Sequence, residues 1–305
     1  MGVAELPLVI VNPASRAGAG ARDWPRAASA LGEHFGPFER RFTEGPGHAT
    51  EIAQLAAELG RHLLLTFGGD GTISETARGI VASGMPCELG ILPHGTGSDF
   101  VRSLSVPSRF ADAARGLRLG KTIRIDLGHV VFADGKEQPF INSASFGLSA
   151  DVACRVNRGT KSGASYARQT TEAALRFDPP NVELTVDGKS PRRVAITTVS
   201  LHNGRFFGGG MKMAPGADLA DGRLQAVIVK KMSTLALLGR TPLLYWGGHL
   251  ALPEVEHAPV VRLEARPTDS RREIRVEVDG ESAGFLPARF EVQPRALRIR
   301  VPRHH

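Results

Sequence analysis

Three polar or glycine-rich loops, each following a short apolar run, constrain the fold of this chain most. Gly68–Thr72 (Gly-Gly-Asp-Gly-Thr) and Leu92–Phe100 follow two successive runs, and Asn12–Gly18 follows the first run, Leu8–Val11. Glycines let backbone N–H groups approach phosphate oxygens, and a helix N-terminus adds partial positive charge. Any single loop of this kind could be a plain strand-to-helix turn. Three of them at the carboxyl edge of one parallel sheet predict a nucleotide site.

Strand-like and helix-like segments alternate over the first 125 residues. His48–Leu59 has the clearest helical spacing, with apolar residues at i, i+3, i+4 and i+7. Further helices are expected up to about Leu31, over Ile73–Val81 and within Asp99–Leu119. The expected strands are Leu8–Val11, Phe38–Thr43, His62–Phe67 and Cys87–Leu92. Such alternation predicts a doubly wound parallel α/β domain over residues 1–125.

The second half of the chain has a different sequence pattern, in which apolar and polar residues alternate along short runs that end in turn residues. The runs are Ile123–Leu127, Val182–Gly188, Arg193–Leu201, Leu224–Val229, Val260–Ala265 and Ile274–Val278. They predict an antiparallel β-sandwich-like domain over residues 126–294. Helices are expected near Gly163–Phe177 and Ser233–His249. The last run, Ala296–Val301, follows Pro294, so residues 295–305 are a candidate to return to the first domain.

Composition excludes several classes of protein. Hydrophobic residues make up 42% and charged residues 23% of the 305 residues, which is ordinary globular usage. The most apolar stretch, Leu235–Leu250, is interrupted by Arg240 and Pro242 and is too short for the roughly 18 apolar residues of a membrane span. The N-terminus lacks the pattern of a secretory signal, and the two cysteines form no framework. We therefore expect a reduced, cytoplasmic protein.

The net charge of +7 favours an anionic partner, either a nucleotide or an anionic lipid surface, although it also serves general solubility. Arginines are spread along the chain and form no single basic block, which counts against nucleic acid. Oligomeric state is left open, with a homodimer as one candidate.

The loops, in this order and spacing, resemble the diacylglycerol kinase catalytic domain of bacterial soluble lipid kinases, ceramide kinases and sphingosine kinases. The family signature is Gly-Gly-Asp-Gly-Thr followed by Pro-x-Gly-Thr-x-Asn-Asp, and this chain departs from it in having Ser98 at the usual Asn position. The resemblance covers nearly the whole chain. It continues through Phe140–Gly147, Asn203–Met211, Ala214–Ala217, Asp221–Leu224 and Asp279–Glu281.

This resemblance implies an ATP- and Mg²⁺-dependent lipid kinase, with a nucleotide domain of the NAD kinase and phosphofructokinase type. Its acceptor would be diacylglycerol or a related lipid alcohol, taken from a membrane surface during transient binding. The residues that would bind ATP are Asn12, Pro13, Ser15, Thr43, Gly68, Gly69, Asp70, Gly71, Thr72, Gly95 and Thr96.

Two turns of the second half gain a function only through the resemblance. Asp218–Arg223 resembles the family's Mg²⁺ loop, with the Asp221 carboxylate and backbone carbonyls near Asp218 and Arg223 as ligands. Asp221-Gly222 by itself indicates an ordinary hairpin turn. Asp279–Glu281 is also a hairpin signal, yet the resemblance makes Glu281 the proton acceptor.

The carboxylates Asp279 and Asp70 are expected in metal-binding or orienting roles, and Asp70 is the alternative base. Two other functions stay open at this stage. One is an NAD kinase-like enzyme with a small soluble acceptor, and the other is a regulator that binds nucleotide or lipid without catalysis. His94, inside the second glycine loop, is a further candidate for contact with the nucleotide.

Overall fold

The computed structural model describes residues 6–158 and 171–303 of the chain. By its internal contacts the chain divides into two compact units. The first comprises Met1–Ile125 with Arg295–His305, and the second comprises Asp126–Pro294.

The first unit is built on a parallel sheet. Its strands are β1 (Leu8–Val11), β2 (Glu39–Phe42), β3 (Leu63–Gly68) and β4 (Glu88–Pro93). They lie in the order β2-β1-β3-β4, and residues 298–300 of the final strand continue the parallel pairing beyond β4. The expected strands are therefore confirmed, with ends that differ by at most one residue.

Helices cover both faces of this sheet. They are α1 (Ser15–Phe35), α2 (His48–Glu58), α3 (Asp70–Ser83), α4 (Asp99–Ser103) and α5 (Phe110–Leu119). Alternate strand residues such as Val9, Val11 and Phe67 pack against α1 and α5, because successive side chains of a strand point to opposite faces. Helix α2 packs on α3, where a Cβ on Gly79 would lie 2.3 Å from the Thr50 carbonyl oxygen. The doubly wound α/β prediction is confirmed.

The second unit is antiparallel and strand-rich. Its strands are β5 (Lys121–Phe132, from Asp126 onward), β6 (Glu137–Phe140), β7 (Ser143–Gly147), β8 (Asn181–Val186), β9 (Arg192–His202), β10 (Leu224–Lys230), β11 (Val255–Val260), β12 (Arg262–Pro267), β13 (Arg275–Val278), β14 (Glu281–Phe285) and the first part of β15 (Ala288–Val301).

Strand β9 joins two sheets of this unit. Its first residues pair with β8, which continues to β12 and β15, and its later residues pair with β7 and β10. The sheets enclose one apolar core that includes Phe140, Phe146, Leu184 and Phe290. The β-sandwich-like prediction is confirmed.

One boundary was predicted wrongly. The last strand does not begin after Pro294: β15 starts at Ala288 and runs through Pro294 to Val301. Pro294 and Arg295, which has a φ of 54°, lie between the stretch paired with β12 and the stretch paired with β4. Proline is tolerated there because it cannot donate to a ladder and marks an irregular point in a strand.

The helical parts of the second unit are short. Helix α6 spans Leu148–Arg158, and residues 171–176 are helical, whereas the rest of the helix expected near Gly163–Phe177 lies largely outside the described residues. The helix expected over Ser233–His249 is divided into α7 (Thr234–Arg240) and two 3-10 turns, Thr241–Tyr245 and Gly248–Ala251. None of the helices within the described parts of the chain is long and apolar enough to cross a membrane.

Candidate active site

The two glycine loops of the first unit touch through their backbones. Strands β3 and β4 pair in register to their ends, with Gly68 opposite Pro93, so the loops begin at the same level. The His94 N–H donates to the Gly68 carbonyl at 2.8 Å. A Cβ added to Gly95 would lie 2.8 Å from the Gly69 Cα, closer than real Cβ atoms approach other heavy atoms. A side chain at Gly95 would therefore push the loops apart.

Asp70 ties the first glycine loop to the second. It is the first residue of α3, and its carboxylate accepts the backbone N–H groups of Asp99 at 3.2 Å and Phe100 at 3.3 Å. Ser98 occupies the N-cap position of α4, with a φ of 52°, but it forms no capping bond and its hydroxyl donates to the Gly95 carbonyl at 3.3 Å. Asp70 thus caps α4 from another element.

The loop after β1 joins the same cluster through Asn12. Its side-chain Nδ2 donates to Thr72 Oγ1 at 2.8 Å, and its Oδ1 accepts the Ala14 N–H at 3.0 Å. Pro13 follows at the start of the turn, and α1 begins at Ser15 with three residues, 16–18, in non-helical conformation. The predicted loop Asn12–Gly18 is therefore present, although its second half is continuous with α1.

A hydrogen-bonded chain runs beneath these loops. The Ser15 hydroxyl lies 2.7 Å from His94 Nδ1 and donates to the Asn12 carbonyl at 2.8 Å, and His94 Nε2 lies 3.1 Å from Asp23 Oδ2. The His94 ring is buried and stacks on Phe67 with 4.7 Å between ring centroids.

A carboxylate can only accept, so His94 Nε2 donates to Asp23. Nδ1 and the Ser15 hydroxyl share the second hydrogen bond, in which the ring tautomer sets the donor. The hydrogen bond from His94, and then that from Arg22, lowers the pKa of the Asp23 carboxyl.

The remaining predicted ATP residues of the first unit lie at the same sheet edge. Thr43 follows β2, is buried, and donates its backbone N–H to the Val11 carbonyl at 2.9 Å. Gly71, in the first turn of α3, and Thr96, in the second glycine loop, are exposed. All four strand ends therefore carry a predicted nucleotide residue.

The predicted metal loop lies in the second unit and is held by Asp126. Asp126 Oδ2 accepts the Gly222 N–H at 2.6 Å, and the Asp126 N–H donates to the Leu219 carbonyl at 2.6 Å. The side chains of Asp218 and Asp221 are exposed, and each accepts one nearby backbone N–H, from Ala220 at 3.0 Å and from Arg223 at 2.9 Å.

This loop fits Mg²⁺ in one particular form. A carboxylate offers about four acceptor positions, so the single N–H bonds described above leave capacity for a cation on both aspartates. Within residues 6–158 and 171–303, no three His, Cys, Asp or Glu side chains are grouped to hold a metal ion. An ion held by one or two carboxylates, waters and a nucleotide phosphate is the arrangement Mg²⁺ commonly adopts.

The turn after β13 is anchored by Asp279. Its carboxylate accepts three backbone N–H groups, those of Ile141 (2.9 Å), Asn142 (2.9 Å) and Ser143 (3.0 Å). Asp279 has a φ of 48°, and Glu281 opens β14 with its side chain half-buried. Asp279 thus fixes the position of the turn that presents Glu281, which suits an orienting role better than that of a base.

A second carboxyl lies beneath this turn. Glu277 is fully buried, accepts the Ser145 hydroxyl at 2.5 Å, and also accepts the Gly280 N–H. Burial, together with the neighbouring Asp279 charge, raises the pKa of Glu277 to about 7.

Sequence reasoning did not find Asp23, Asp126 or Glu277. Asp126 and Glu277 lie within alternating strand segments, where a carboxylate looks like a solvent-facing residue. Their partners stand 96 and 132 residues away in the chain, and Asp23 stands 71 residues from His94. A single sequence carries no signal for such pairs.

Two family descriptions match the chain. Residues 7–130 match the diacylglycerol kinase catalytic domain, and residues 142–301 match the YegS C-terminal NAD kinase beta sandwich-like domain. Among curated proteins, a diacylglycerol kinase of Mycobacterium tuberculosis is 30% identical over 301 residues, covering 97% of this chain and 94% of the relative. A diacylglycerol kinase of Bacillus subtilis is 28% identical, covering 84% and 83%.

Solved structures share the fold. A crystal structure of a diacylglycerol kinase from Bacillus anthracis gives a TM-score of 0.75 at 22% identity, covering 97% of both chains. Yeast NADH kinase gives a TM-score of 0.55 at 14% identity, covering 98% of this chain and 84% of that one. These findings define a lipid kinase architecture. The chain belongs to the diacylglycerol kinase family and is a kinase.

Proposed function

We propose that this kinase transfers the γ-phosphoryl group of ATP to the hydroxyl of a membrane lipid such as diacylglycerol, with Mg²⁺ as cofactor. The observation that carries the proposal is the backbone contact between Gly69 and Gly95 at the carboxyl edge of the sheet. Two loops packed without side chains leave N–H groups able to approach phosphate oxygens.

The hydrogen-bonded cluster around these loops supports ATP as the donor. Asn12 and Thr72 are linked side chain to side chain, and Ser15 is held by His94. A triphosphate needs several fixed donors, because charge-assisted hydrogen bonds are strong only when the donors are already in place.

Magnesium would be held by the Asp221 and Asp218 carboxylates and the carbonyl of Arg223. When bound, it neutralises charge on the nucleotide phosphates during transfer. The Asp70 carboxylate is held by the N–H groups of Asp99 and Phe100, and a cation bound nearby would offset its repulsion of a phosphate.

Glu281 is proposed as the base. The lipid hydroxyl oxygen forms a bond to the γ-phosphorus while the bond from that phosphorus to the bridging oxygen of ADP breaks. The hydroxyl proton passes to the Glu281 carboxylate, and ADP leaves with the electron pair of the broken bond. Asp279 is not proposed as the base, since it accepts three backbone N–H groups.

The assignment of the base is tested by steady-state kinetics of Glu281→Gln with dispersed diacylglycerol. We expect kcat to fall by about 10²-fold or more while KM for ATP changes little, because general bases typically contribute 10²- to 10⁴-fold. Asp279→Asn serves as the comparison, since it should reduce folded stability as well as activity. A kcat within a few-fold of wild type for Glu281→Gln would remove Glu281 from the mechanism.

An NAD kinase-like activity is the alternative. The structural likeness to yeast NADH kinase at 14% identity concerns the fold and carries no substrate. The family match and the diacylglycerol kinase relatives favour a lipid acceptor.

A further inference from the structure

The most apolar stretch of the chain lies in the second unit and carries several exposed side chains. We call the segment Thr234–Trp246, together with Leu175, the apolar surface. No residue of Thr234–Tyr245, all of which the structure describes, is buried. Leu235 is 84% exposed, Leu175 and Trp246 are each 66% exposed, and Tyr245 is 56% exposed. Exposed apolar groups in such density mark an interaction surface.

The parts of this surface are joined to one another. The Thr234 hydroxyl donates to the Ala174 carbonyl at 3.4 Å, which places Leu175 and Leu235 one residue away from the same bond. Leu237 and Leu238 pack on Ala173 and Ala174. The Thr241 hydroxyl donates to the Leu237 carbonyl at 3.0 Å, so the 3-10 turn that leads to Tyr245 and Trp246 continues directly from α7.

Basic residues lie within and beside the apolar surface. Residues 226–253 contain Lys230, Lys231 and Arg240 and no Asp or Glu. Lys230 and Arg240 pair with glutamates, whereas Lys231 and Arg176, next to Leu175, are exposed, as is Glu172 on the other side of Leu175. Exposed leucines beside a tryptophan, a tyrosine and basic residues are the composition that binds at the interface of an anionic bilayer.

We infer that the apolar surface docks on membranes that contain anionic lipids and thereby brings the enzyme to its acceptor. The functional role of this docking rests on the proposed function, since a lipid acceptor is reached only at a bilayer. Its physical basis, exposed apolar residues flanked by cations, is independent of catalysis. A second copy of the chain is the competing occupant.

The chain offers a matched control for the test. Leu55 lies on α2 of the first unit and Leu59 directly follows this helix; they are 58% and 69% exposed. The pair Leu175→Ala/Leu235→Ala and the pair Leu55→Ala/Leu59→Ala therefore remove the same side chains from two different surfaces. Binding is measured without ATP, by sedimentation with vesicles of phosphatidylcholine containing phosphatidylglycerol, and with phosphatidylcholine alone.

Wild type should bind the anionic vesicles, and Leu175→Ala/Leu235→Ala should lower the partition coefficient about tenfold or more, since apolar burial drives interfacial binding. Leu55→Ala/Leu59→Ala should stay within about twofold of wild type. Equal losses for both pairs, or no binding by wild type, would overturn the inference. So would a change in oligomeric state caused by Leu175→Ala/Leu235→Ala without lipid, measured by light scattering, because the surface would then join two copies.

Tryptophan fluorescence gives a second readout on folded protein. The chain has two tryptophans, the buried Trp24 and the exposed Trp246, so Trp24→Phe isolates the latter. Emission from Trp246 should be quenched by vesicles that carry brominated acyl chains. Unquenched emission with bound protein would overturn the inference. If the enzyme binds vesicles in this way yet phosphorylates no lipid, the docking surface stands and the proposed function fails.

Discussion

The buried carboxyl of Glu277 makes the stability of the second unit depend on pH in a predictable direction. Burial raises the pKa of Glu277 from its ordinary value of 4.5 to about 7. The neutral form is therefore favoured in the folded state. Its contribution to stability is fully present below pH 4.5 and is lost as the pH rises to 7, because the unfolded chain then ionises more readily than the folded one.

The size of the effect follows from the two pKa values. At 1.36 kcal/mol for each pKa unit, the rise from 4.5 to about 7 corresponds to about 3 kcal/mol of unfolding free energy. Glu277→Gln cannot ionise, and its amide is close in shape to the neutral acid. Between pH 5 and pH 8 the wild type should therefore lose about 2.5 kcal/mol relative to Glu277→Gln.

Urea unfolding followed by circular dichroism at pH 5 and pH 8 measures this difference. Glu273→Gln is the control, because it removes an exposed carboxyl next to the same strand and should change stability by less than about 0.5 kcal/mol. If the stability difference between Glu277→Gln and wild type is the same at both pH values, the carboxyl is ionised inside the protein and the reasoning fails. A variant less stable than wild type at pH 8 would refute it as well.

Three further changes test the first unit. Gly95→Ala should weaken ATP binding about tenfold or more in calorimetric titration, because the added Cβ would lie 2.8 Å from the Gly69 Cα of the facing loop. Gly32→Ala is the control, since a Cβ there has no heavy atom within 4 Å and should leave ATP binding unchanged. Equal effects of the two substitutions would contradict the loop contact. Ser98→Asn should raise the unfolding free energy by about 0.5–1 kcal/mol, since Asn tolerates the φ of 52° better, and a decrease on thermal unfolding would count against this. His94→Gln and Asp23→Asn should each weaken ATP binding about fivefold, because each removes the bond between these two side chains. The double variant should bind ATP no more weakly than either single variant, whereas additive losses would show that the two residues act separately.

Much of the first unit could be predicted from the sequence because its signals are local. Four apolar runs ended by polar or glycine-rich loops gave the strands and the sheet edge at which the loops meet. The start of α3 was placed at Ile73, three residues after its observed start at Asp70. Glycine and aspartate are poor helix formers, but here the helix begins at Asp70 directly after the Gly69 cap.

The features that the sequence did not show depend on distant partners or on tertiary packing. Asp70 caps a helix that begins 29 residues later, and Asp126 holds a loop 96 residues away. The strand through Pro294 was missed because proline usually ends a strand, whereas here the strand changes pairing partners at that point.

Phosphate transfer from labelled ATP in the presence of Mg²⁺ tests the central claim most directly. The acceptor panel contains diacylglycerol, monoacylglycerol, ceramide, a sphingoid base, phosphatidylglycerol and NAD. We predict a labelled lipid phosphate that requires Mg²⁺ and is lost in Glu281→Ala. Label in NAD alone, or no transfer to any acceptor by protein that binds ATP, would contradict the assignment of this enzyme as a lipid kinase.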